Sequence, residues 1–316
     1  MTEGYHNEEL ANIARDYYLT KLTISQISEK YNLSRYLISK ALEEAQATGI
    51  VQIHIRANIE RNSQLEARFR STFGLKEAFI LRDADTTSQD NERIVTFAAD
   101  QLQHYISSSH YVGIGWGTTV MDTINHFDKT SRDNLTFVQL MGLSLKTSSP
   151  IGMTSLVQRA AAKFEADYLP LPAPLYVLNT SVHHALKKEP AIMPTLNAYD
   201  KIDLLFTGIG TIDSLDSTPI WRSCEGTLLR NVDRQNIVGM ILGRPYDING
   251  HIYDQVAQMA VGIRHEEVIK VPIRFGIIKN KFKTRALLGA LRTGLLTHLV
   301  ISEGMATRVL KEMSVQ

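Results

Sequence analysis

The part of the chain that follows residue 77 most constrains the fold, because short apolar runs there alternate with helical patterns. Continuous apolar runs are typical of strands that are buried on both faces. Helices between such strands are the crossover connections that a parallel sheet needs. The sequence therefore predicts an α/β fold with a parallel sheet covered on both sides. The predicted strands are 78–81, 111–115, 136–142, 203–210, 236–243, 271–278 and 298–302, and the predicted helices are 91–107, 118–127, 154–166 and 284–293.

The first 55 residues have a different pattern, which predicts three short helices. Apolar residues between Leu10 and Tyr17 have helical spacing, and Thr23 is the predicted N-cap of a second helix. Ser34 is the predicted N-cap of a third helix, and the alternation over 50–55 predicts a strand. A short helix joined to a longer one by a tight turn predicts a helix-turn-helix. The predicted inner face of the third helix carries Leu37, Ile38, Ala41, Leu42 and Ala45.

The beginning of the third helix carries side-chain types that suit DNA, because arginine reads guanine while serine and lysine bind phosphates or base edges. Between Leu19 and Leu42 four bases and one acid give a local net charge of +3, whereas residues 1–56 hold six bases and seven acids. The electrostatic support is therefore local, and a plain three-helix packing module is the alternative. The candidate DNA-binding residues are Thr23, Ser34, Arg35, Tyr36, Ser39 and Lys40.

The composition excludes several other classes of protein. The chain has 34 Lys plus Arg, 33 Asp plus Glu and a net charge of +1, which by itself indicates neither nucleic acid nor an anionic membrane. The single cysteine, Cys224, excludes an internal disulfide framework and a multi-cysteine metal site. No apolar run approaches the roughly 18 residues of a membrane span, and the polar N-terminus lacks the features of a signal peptide. We expect a cytoplasmic protein without cofactor, metal or membrane partner.

Two predicted strands end in glycine-rich turns, and a third ends in a run of lysines. The stretch Gly-Ile-Gly-Trp-Gly-Thr-Thr over 113–119 joins a strand to a helix, where backbone N–H groups and the helix N-terminus attract phosphate. Gly208 and Gly210 form the second turn, and residues 270–292 contain seven bases and no acid. Ligands of such sheets collect at the carboxyl ends of the strands. Tight-turn sterics and a solvated charged face are the alternatives.

The series LANIARDYYLTKLTISQISEKYNLSRYLISKALEEAQATGIVQIHI over 10–55 resembles the helix-turn-helix of the SorC/DeoR family of bacterial sugar-responsive transcriptional regulators. GIGWGTTVMDTI, PAPL, DLLFTGIG and the C-terminal ALR…LVISE order are similar to the effector domain of that family. The resemblance covers about residues 8–312. It implies a winged-helix-like DNA-binding domain over 1–57 and a Rossmann-like effector and oligomerisation domain over 58–316, similar to sugar-phosphate isomerases and deaminases.

The resemblance also implies the ligand and its contacts. Family members bind phosphorylated sugars without converting them, form dimers or tetramers and control carbohydrate-utilisation operons, here most simply as a repressor bound to operator DNA. Met141 stands where relatives that bind deoxyribose phosphate have a Schiff-base lysine, so covalent capture is not expected. The implied contacts are Gly115, Trp116, Gly117, Thr118 and Thr119 to phosphate, Asp254 to sugar hydroxyls, Lys283 to phosphate or a sugar oxygen, Gly208 and Gly210 along the cleft, and Glu303 at a strand end.

An enzyme that isomerises or deaminates a sugar phosphate is the alternative function, since the second domain would suit it. The helix-turn-helix argues against an enzyme, and no H-E-x-x-H or G-x-S-x-G motif is present. The adjacent His183 and His184 are expected to be a surface pair that cannot chelate one ion. Conversion of a sugar phosphate by the pure protein would distinguish the enzyme from the regulator.

Overall fold

The structure of the protein is a computed structural model that describes residues 7–51, 59–143 and 156–315. The chain divides into two compact units, residues 1–58 and residues 59–316. The division lies one residue from the boundary expected from the sequence. Among the described residues, no helix is long and apolar enough to cross a membrane.

The first unit is a three-helix module. Its helices are α1 (Asn7–Tyr18), α2 (Ile24–Tyr31) and α3 (Arg35–Ala47), which confirms the three predicted helices. Leu37 is 36 % exposed and does not belong to the inner face, contrary to the prediction, because it lies one position before the buried Ile38. In the predicted strand 50–55, Ile50 and Val51 are not in a strand and the rest lies outside the described residues. The core consists of Leu10, Ile13, Ala14, Ile27, Ile38, Ala41, Leu42 and Ala45.

Local side-chain chemistry sets both ends of the turn between α2 and α3. The Thr23 hydroxyl accepts the N–H of Gln26, and the Gln26 side chain accepts the N–H of Thr23, which forms a capping box. Ser34 caps α3 by accepting the N–H of Leu37 at 3.3 Å. Asn32, with φ 53°, ends α2 in the left-handed conformation that asparagine tolerates. Both predicted N-caps are confirmed.

The second unit is built on a seven-stranded sheet whose strand pairs are all parallel. The strands of the unit are β1 (Glu77–Leu81), β2 (Tyr111–Ile114), β3 (Thr136–Gln139), β4 (Asp167–Leu169), β5 (Leu204–Thr207), β6 (Gly239–Ile241), β7 (Arg244–Tyr246), β8 (Ile273–Ile277) and β9 (His298–Ser302). The order in the sheet is β1-β9-β8-β5-β2-β3-β4. From β2 the chain proceeds outward to β3 and β4, then returns to β5 and continues the other way to β8 and β9. The direction of winding therefore reverses between β2 and β5.

Helices cover both faces of this sheet, which confirms the predicted α/β class. Neighbouring strand residues alternate between two cores: Phe79 packs with α5, α6 and α7, whereas Ile80 packs with α4, α14 and α15. The helices are α4 (Ser63–Phe73), α5 (Thr87–Ile106), α6 (Thr118–Asn125), α7 (Leu156–Phe164), α8 (Thr180–Leu186), α9 (Met193–Ala198), α10 (Ile212–Asp216), α11 (Pro219–Leu228), α12 (Asp254–Met259), α13 (His265–Val268), α14 (Thr284–Arg292) and α15 (Glu303–Val315).

The predicted strand 236–243 does not belong to the parallel sheet, so that prediction was wrong. Its apolar residues form β6, which pairs antiparallel with β7 in a separate two-stranded hairpin. Leu242 and Gly243 connect the two strands with positive φ angles of 48° and 74°, the combination found in tight hairpin turns. The edge strand β4 was missed because it is partly exposed and lacks a continuous apolar run.

Candidate DNA-binding surface and effector cleft

The beginning of α3 presents a polar, solvent-exposed surface. Arg35, Tyr36 and Lys40 are exposed, Tyr36 with 74 % of its area, and Ser39 is half-buried. Their neighbours Ile38 and Ala41 are buried in the three-helix core and orient the exposed face. The surface therefore has the donors and the aromatic ring that a helix uses to contact DNA, whereas Thr23 and Ser34 are occupied as helix caps.

One of the four bases in this region is already neutralised. The Lys30 ammonium lies 2.7 Å from the carboxylate of Asp16, which also accepts the Tyr31 hydroxyl at 2.8 Å. These hydrogen bonds from Lys30 and Tyr31 hold the pKa of Asp16 below its usual value. Lys30 therefore stabilises the packing of α2 on α1, and the exposed bases near the beginning of α3 are Arg35 and Lys40.

The first glycine turn, between β2 and α6, is shaped by close contacts with β5. The Gly115 N–H donates to the carbonyl of Phe206 at 2.9 Å, and a side chain at Gly115 would collide with Thr207. Gly117, with φ 135°, is the N-cap of α6 and adopts a conformation that L side chains rarely reach. Thr118 is exposed at the first position of α6, whereas Thr119 is buried. Glycine is therefore required at both positions, and Thr118 can contact a ligand.

The second glycine turn follows β5 and faces the first. A Cβ on Gly208 would lie 3.9 Å from the Cβ of Thr119. Gly210 donates its N–H to the carbonyl of Met240 at 2.9 Å and so joins the turn to the β6–β7 hairpin. The carbonyl of Ile209, between the two glycines, accepts a hydrogen bond from the Lys283 ammonium at 2.6 Å.

The three lysines that follow β8, Lys279, Lys281 and Lys283, are half-buried and have hydrogen-bond or ion-pair partners. This part of the basic segment 270–292 is therefore not a solvated charged face. Lys279 forms an ion pair with Asp122 on α6, and the Lys281 ammonium lies 3.2 Å and 3.1 Å from Asp83 and Asp90. Within the described part of the chain, no carboxylate pairs with Lys283, whose pKa is lowered by burial and by the charge of Lys279. Among the described residues, the Lys283 ammonium is therefore hydrogen-bonded to a backbone carbonyl and has no carboxylate counter-ion.

These three segments meet because β2, β5 and β8 are neighbours in the sheet and end at the same edge. The winding reversal between β2 and β5 is the place where open α/β sheets bind their ligands. The two glycine turns flank that place, and Lys283 reaches it from the next strand. The resulting effector cleft, defined by Gly115–Thr119, Gly208–Gly210 and Lys283, offers backbone N–H groups, a hydroxyl and one uncompensated cation to an anion.

The structure places the remaining predicted ligand residues elsewhere or in other contacts. Trp116 is half-buried and packs against both cores of the sheet. Glu303 begins α15 beside the same edge, but its carboxylate accepts the Asn62 amide at 2.6 Å. Asp254 is exposed at the beginning of α12 and lines a different cavity, and no described contact joins it to the glycine turns. Its role toward sugar hydroxyls stays a prediction.

The surroundings of two residues of the second unit, Asp122 and His183, could not be found from the sequence. Asp122 lies in the same segment as the first glycine turn, yet its partner Lys279 is 157 residues away. His183 is buried, with 6 % exposure, and its ring lies 3.3 Å from the carbonyl of Ala260, so the expected surface pair was wrong for this residue. Burial lowers the pKa of His183. Neighbouring residues on a helix point in different directions, which lets His183 face inward while His184 is exposed.

A helix-turn-helix unit, followed by a parallel sheet that is covered on both faces and has glycine-rich turns at its strand ends, defines a class: the two-domain regulators that join a DNA-binding domain to a Rossmann-like ligand domain. The family model described as "Putative sugar-binding domain" matches residues 57–311. The chain belongs to the SorC/DeoR family of sugar-binding transcriptional regulators.

Individual relatives are similar to this chain over most of its length. Transcriptional regulator LsrR of Enterobacter sp. (strain 638) is 29 % identical, covering 96 % of this chain and 93 % of the relative. LsrR of Escherichia coli (strain K12) is 27 % identical, and the match covers 96 % of this chain and 95 % of the relative. The full-length sorbitol operon regulator SorC from Klebsiella pneumoniae has a similar fold, with a TM-score of 0.70 and 22 % identity. The match covers 96 % of this chain and 99 % of that structure. A DeoR family transcriptional regulator from Listeria monocytogenes also has a similar fold, with a TM-score of 0.69 and 23 % identity. The match covers 78 % of this chain and 98 % of that structure.

Proposed function

We propose that this sugar-responsive DNA-binding regulator acts as a repressor of a carbohydrate-utilisation operon and that its effector is a phosphorylated sugar. Residues 1–57 bind operator DNA, and residues 58–316 bind the effector and form the contacts of a homo-oligomer in the cytoplasm. The similarity to regulators along 96 % of the chain supports the DNA-binding role. The geometry of the effector cleft supports a phosphorylated ligand.

The observation that carries the phosphate assignment is the meeting of the two glycine turns beside Lys283. The N-terminus of α6 carries a partial positive charge, and the first turn exposes Thr118 at that end. The ammonium of Lys283 is held by the carbonyl of Ile209 at the second turn and lacks a carboxylate partner among the described residues. A phosphate group supplies the negative charge and the hydrogen-bond acceptors that this set of donors lacks.

The proposed regulatory mechanism assigns DNA binding to one compact unit and effector binding to the other. Effector binding at the strand ends shifts the equilibrium between arrangements of paired DNA-reading modules in the oligomer. Couplings of this kind are typically about 1–3 kcal/mol and change affinity by about 5–150-fold. Effector binding is therefore expected to weaken operator binding by a factor in that range and to relieve repression.

Calorimetric titration of the full chain tests the effector class. Glucose 6-phosphate, fructose 6-phosphate and ribose 5-phosphate are first compared by thermal shift, since a ligand of the folded state raises the melting temperature. The best ligand and its unphosphorylated sugar are then titrated into the wild type and the Thr118→Val variant. We expect the unphosphorylated sugar to bind the wild type far more weakly than the sugar phosphate does. Thr118→Val is expected to lower the affinity for the sugar phosphate about tenfold, because one hydrogen bond to a charged group is lost.

The Thr130→Val variant is the matched control, because Thr130 is an exposed threonine in the loop beyond the C-terminal end of α6. It is expected to bind the sugar phosphate as the wild type does. Thr118→Val is expected to bind operator DNA normally in the absence of effector, because Thr118 lies in the other unit. Equal affinity for the sugar and its phosphate would show that the glycine turn does not bind phosphate.

The same samples address the alternative that the second unit is an enzyme. A regulator returns the sugar phosphate unchanged after incubation. Conversion of more than one equivalent by the pure protein, abolished in Lys283→Ala, would favour an isomerase or a deaminase.

A further inference from the structure

A second cavity, the basic cavity, lies between α8, α12, α13 and strand β7. Its volume is about 630 Å³, within the range of small-molecule binding sites. Its lining includes none of the residues that define the effector cleft. Six nitrogen-bearing side chains that are or can become cationic line it, namely His183, His184, Lys187, Arg244, Arg264 and His265.

Arg244 is the buried base of this cavity, with only 4 % of its area exposed. Its guanidinium donates to the carbonyl of Leu242 at 2.8 Å and to the carbonyl of Ile263, which uses two of its five N–H groups. Within the described ranges no carboxylate forms an ion pair with it, and burial lowers its pKa. The charges of Glu266 and Glu267 favour the ionised guanidinium without a direct ion pair, and its pKa stays lowered, so the cost of burying this charge is offset only in part and the folded protein gains from an anion at this position.

Lys187 is a second cation of the same cavity that has no direct ion pair among the described residues. It is half-buried at the end of α8, and its pKa is lowered by burial and by the nearby charge of Arg264. Arg264 itself is neutralised, since its guanidinium lies 2.6 Å from Glu267 and 3.5 Å from Glu266. No described carboxylate is paired with Lys187. Among the described lysine and arginine side chains that line the cavity, Arg244 and Lys187 are therefore the two without a direct ion pair, and the exposed carboxylate of Asp254 lines the cavity beside them.

We propose that the basic cavity is a second ligand site, which binds a small anion through a carboxylate or phosphoryl group held by Arg244 and Lys187. The planar guanidinium suits the oxygen pair of either group, and the lysine adds a point charge. The carboxylates of Asp254 and Glu266, which also line the cavity, accept hydrogen bonds from hydroxyl groups of the same ligand. This site does not depend on the proposed effector, because the two sites share no lining residue.

Titrations of the full chain with inorganic phosphate and with citrate, at an ionic strength held constant with chloride, test the proposal. The two probes distinguish a phosphoryl from a carboxylate ligand. At least one of them is expected to bind the wild type, and Lys187→Gln is expected to weaken that binding about tenfold, the effect of one lost charge-assisted hydrogen bond. Arg244→Lys keeps the charge but removes the fork and is expected to weaken it further.

Lys188→Gln is the matched control, since Lys188 is the exposed neighbour of Lys187 and does not line the cavity. It is expected to bind as the wild type does. Circular dichroism melting curves show whether each variant is folded, and Lys187→Gln remains informative if Arg244→Lys does not fold. Equal binding by Lys187→Gln and Lys188→Gln overturns the proposal, as does phosphate binding that is lost in Thr118→Val and unchanged in Lys187→Gln. Absence of binding by both probes also overturns it.

Discussion

Lys279 and Lys283 follow the same strand, yet their surroundings give them different roles. Lys279 is paired with Asp122 and holds the end of β8 to α6. Lys283 contacts only a backbone carbonyl among the described partners, and in the function proposed above its half-buried ammonium binds an anion. Arg244 and Arg264 differ in the same way in the basic cavity. At the scale of residues, a direct carboxylate partner distinguishes the structural cations from those that we propose to bind ligands.

Arg35 is the residue for which a DNA-binding role can be tested most directly. It is exposed at the first position of α3, where a recognition helix contacts base edges. Arg35→Ala is expected to cost about 1–3 kcal/mol of operator binding if the side chain reads a guanine. Gel-shift titration measures this cost, and Arg15→Ala, which removes an exposed arginine from α1, is the control. Unchanged affinity and unchanged sequence preference in Arg35→Ala would remove it from the DNA surface.

At the scale of elements, β9 carries a buried group that makes the stability of the second unit depend on pH. His298 is 4 % exposed and packs between the rings of Phe275 and Tyr105. Burial, assisted by the charges of Lys76 and Arg274, lowers the pKa of His298 to about 4. In the unfolded chain, His298 binds a proton below its ordinary pKa of about 6.5. In the folded state the ring stays neutral until the pH falls to about 4.

Stability is consequently expected to fall as the pH decreases from about 6.5 to about 4, with a loss on the order of 3 kcal/mol attributable to this histidine. Chemical unfolding of the second unit at a series of pH values measures the slope. His298→Gln lowers the stability at neutral pH but removes this contribution, so its slope over the same interval is expected to be smaller. An unchanged slope in the variant would assign the pH dependence to other groups.

At the scale of the whole molecule, a regulator built from a small DNA-reading unit and a larger ligand unit needs more than one copy to read a long operator. A single three-helix module contacts few base pairs, and paired modules bind half-sites about 10 base pairs apart or at multiples of that spacing. DNase footprinting with the full chain is expected to show paired protection with this periodicity. One short footprint and a complex of one chain per operator would contradict the proposed homo-oligomer.

Features that depend on neighbouring residues in the chain were predictable from the sequence. The N-caps Thr23 and Ser34 act within one helical turn, and apolar runs such as that of β5 show directly that a strand is buried on both faces. The glycine turns were also predictable, because closely spaced glycines between a strand and a helix indicate a turn. Gly117 indeed adopts a positive φ that other residues rarely reach. Local conformational preference and hydrophobic patterning depend on a few consecutive residues, so most of the helices and strands and the positions of the glycine-rich turns could be inferred from the sequence, whereas phosphate binding at the first turn stays a prediction.

Features that depend on which elements become neighbours were decided only by the tertiary structure. The apolar run in 236–243 predicts a strand, but only its pairing with β7 shows that it is a hairpin outside the sheet. The Lys279–Asp122 ion pair and the burial of His183 join segments that are distant in the chain. The same is true of the basic cavity, where Arg244 and Lys187 come from different elements. The charge and polarity of a side chain are properties of a single residue and can be read from the sequence. Burial of that side chain and neutralisation of its charge by a partner arise only when packing brings distant elements together.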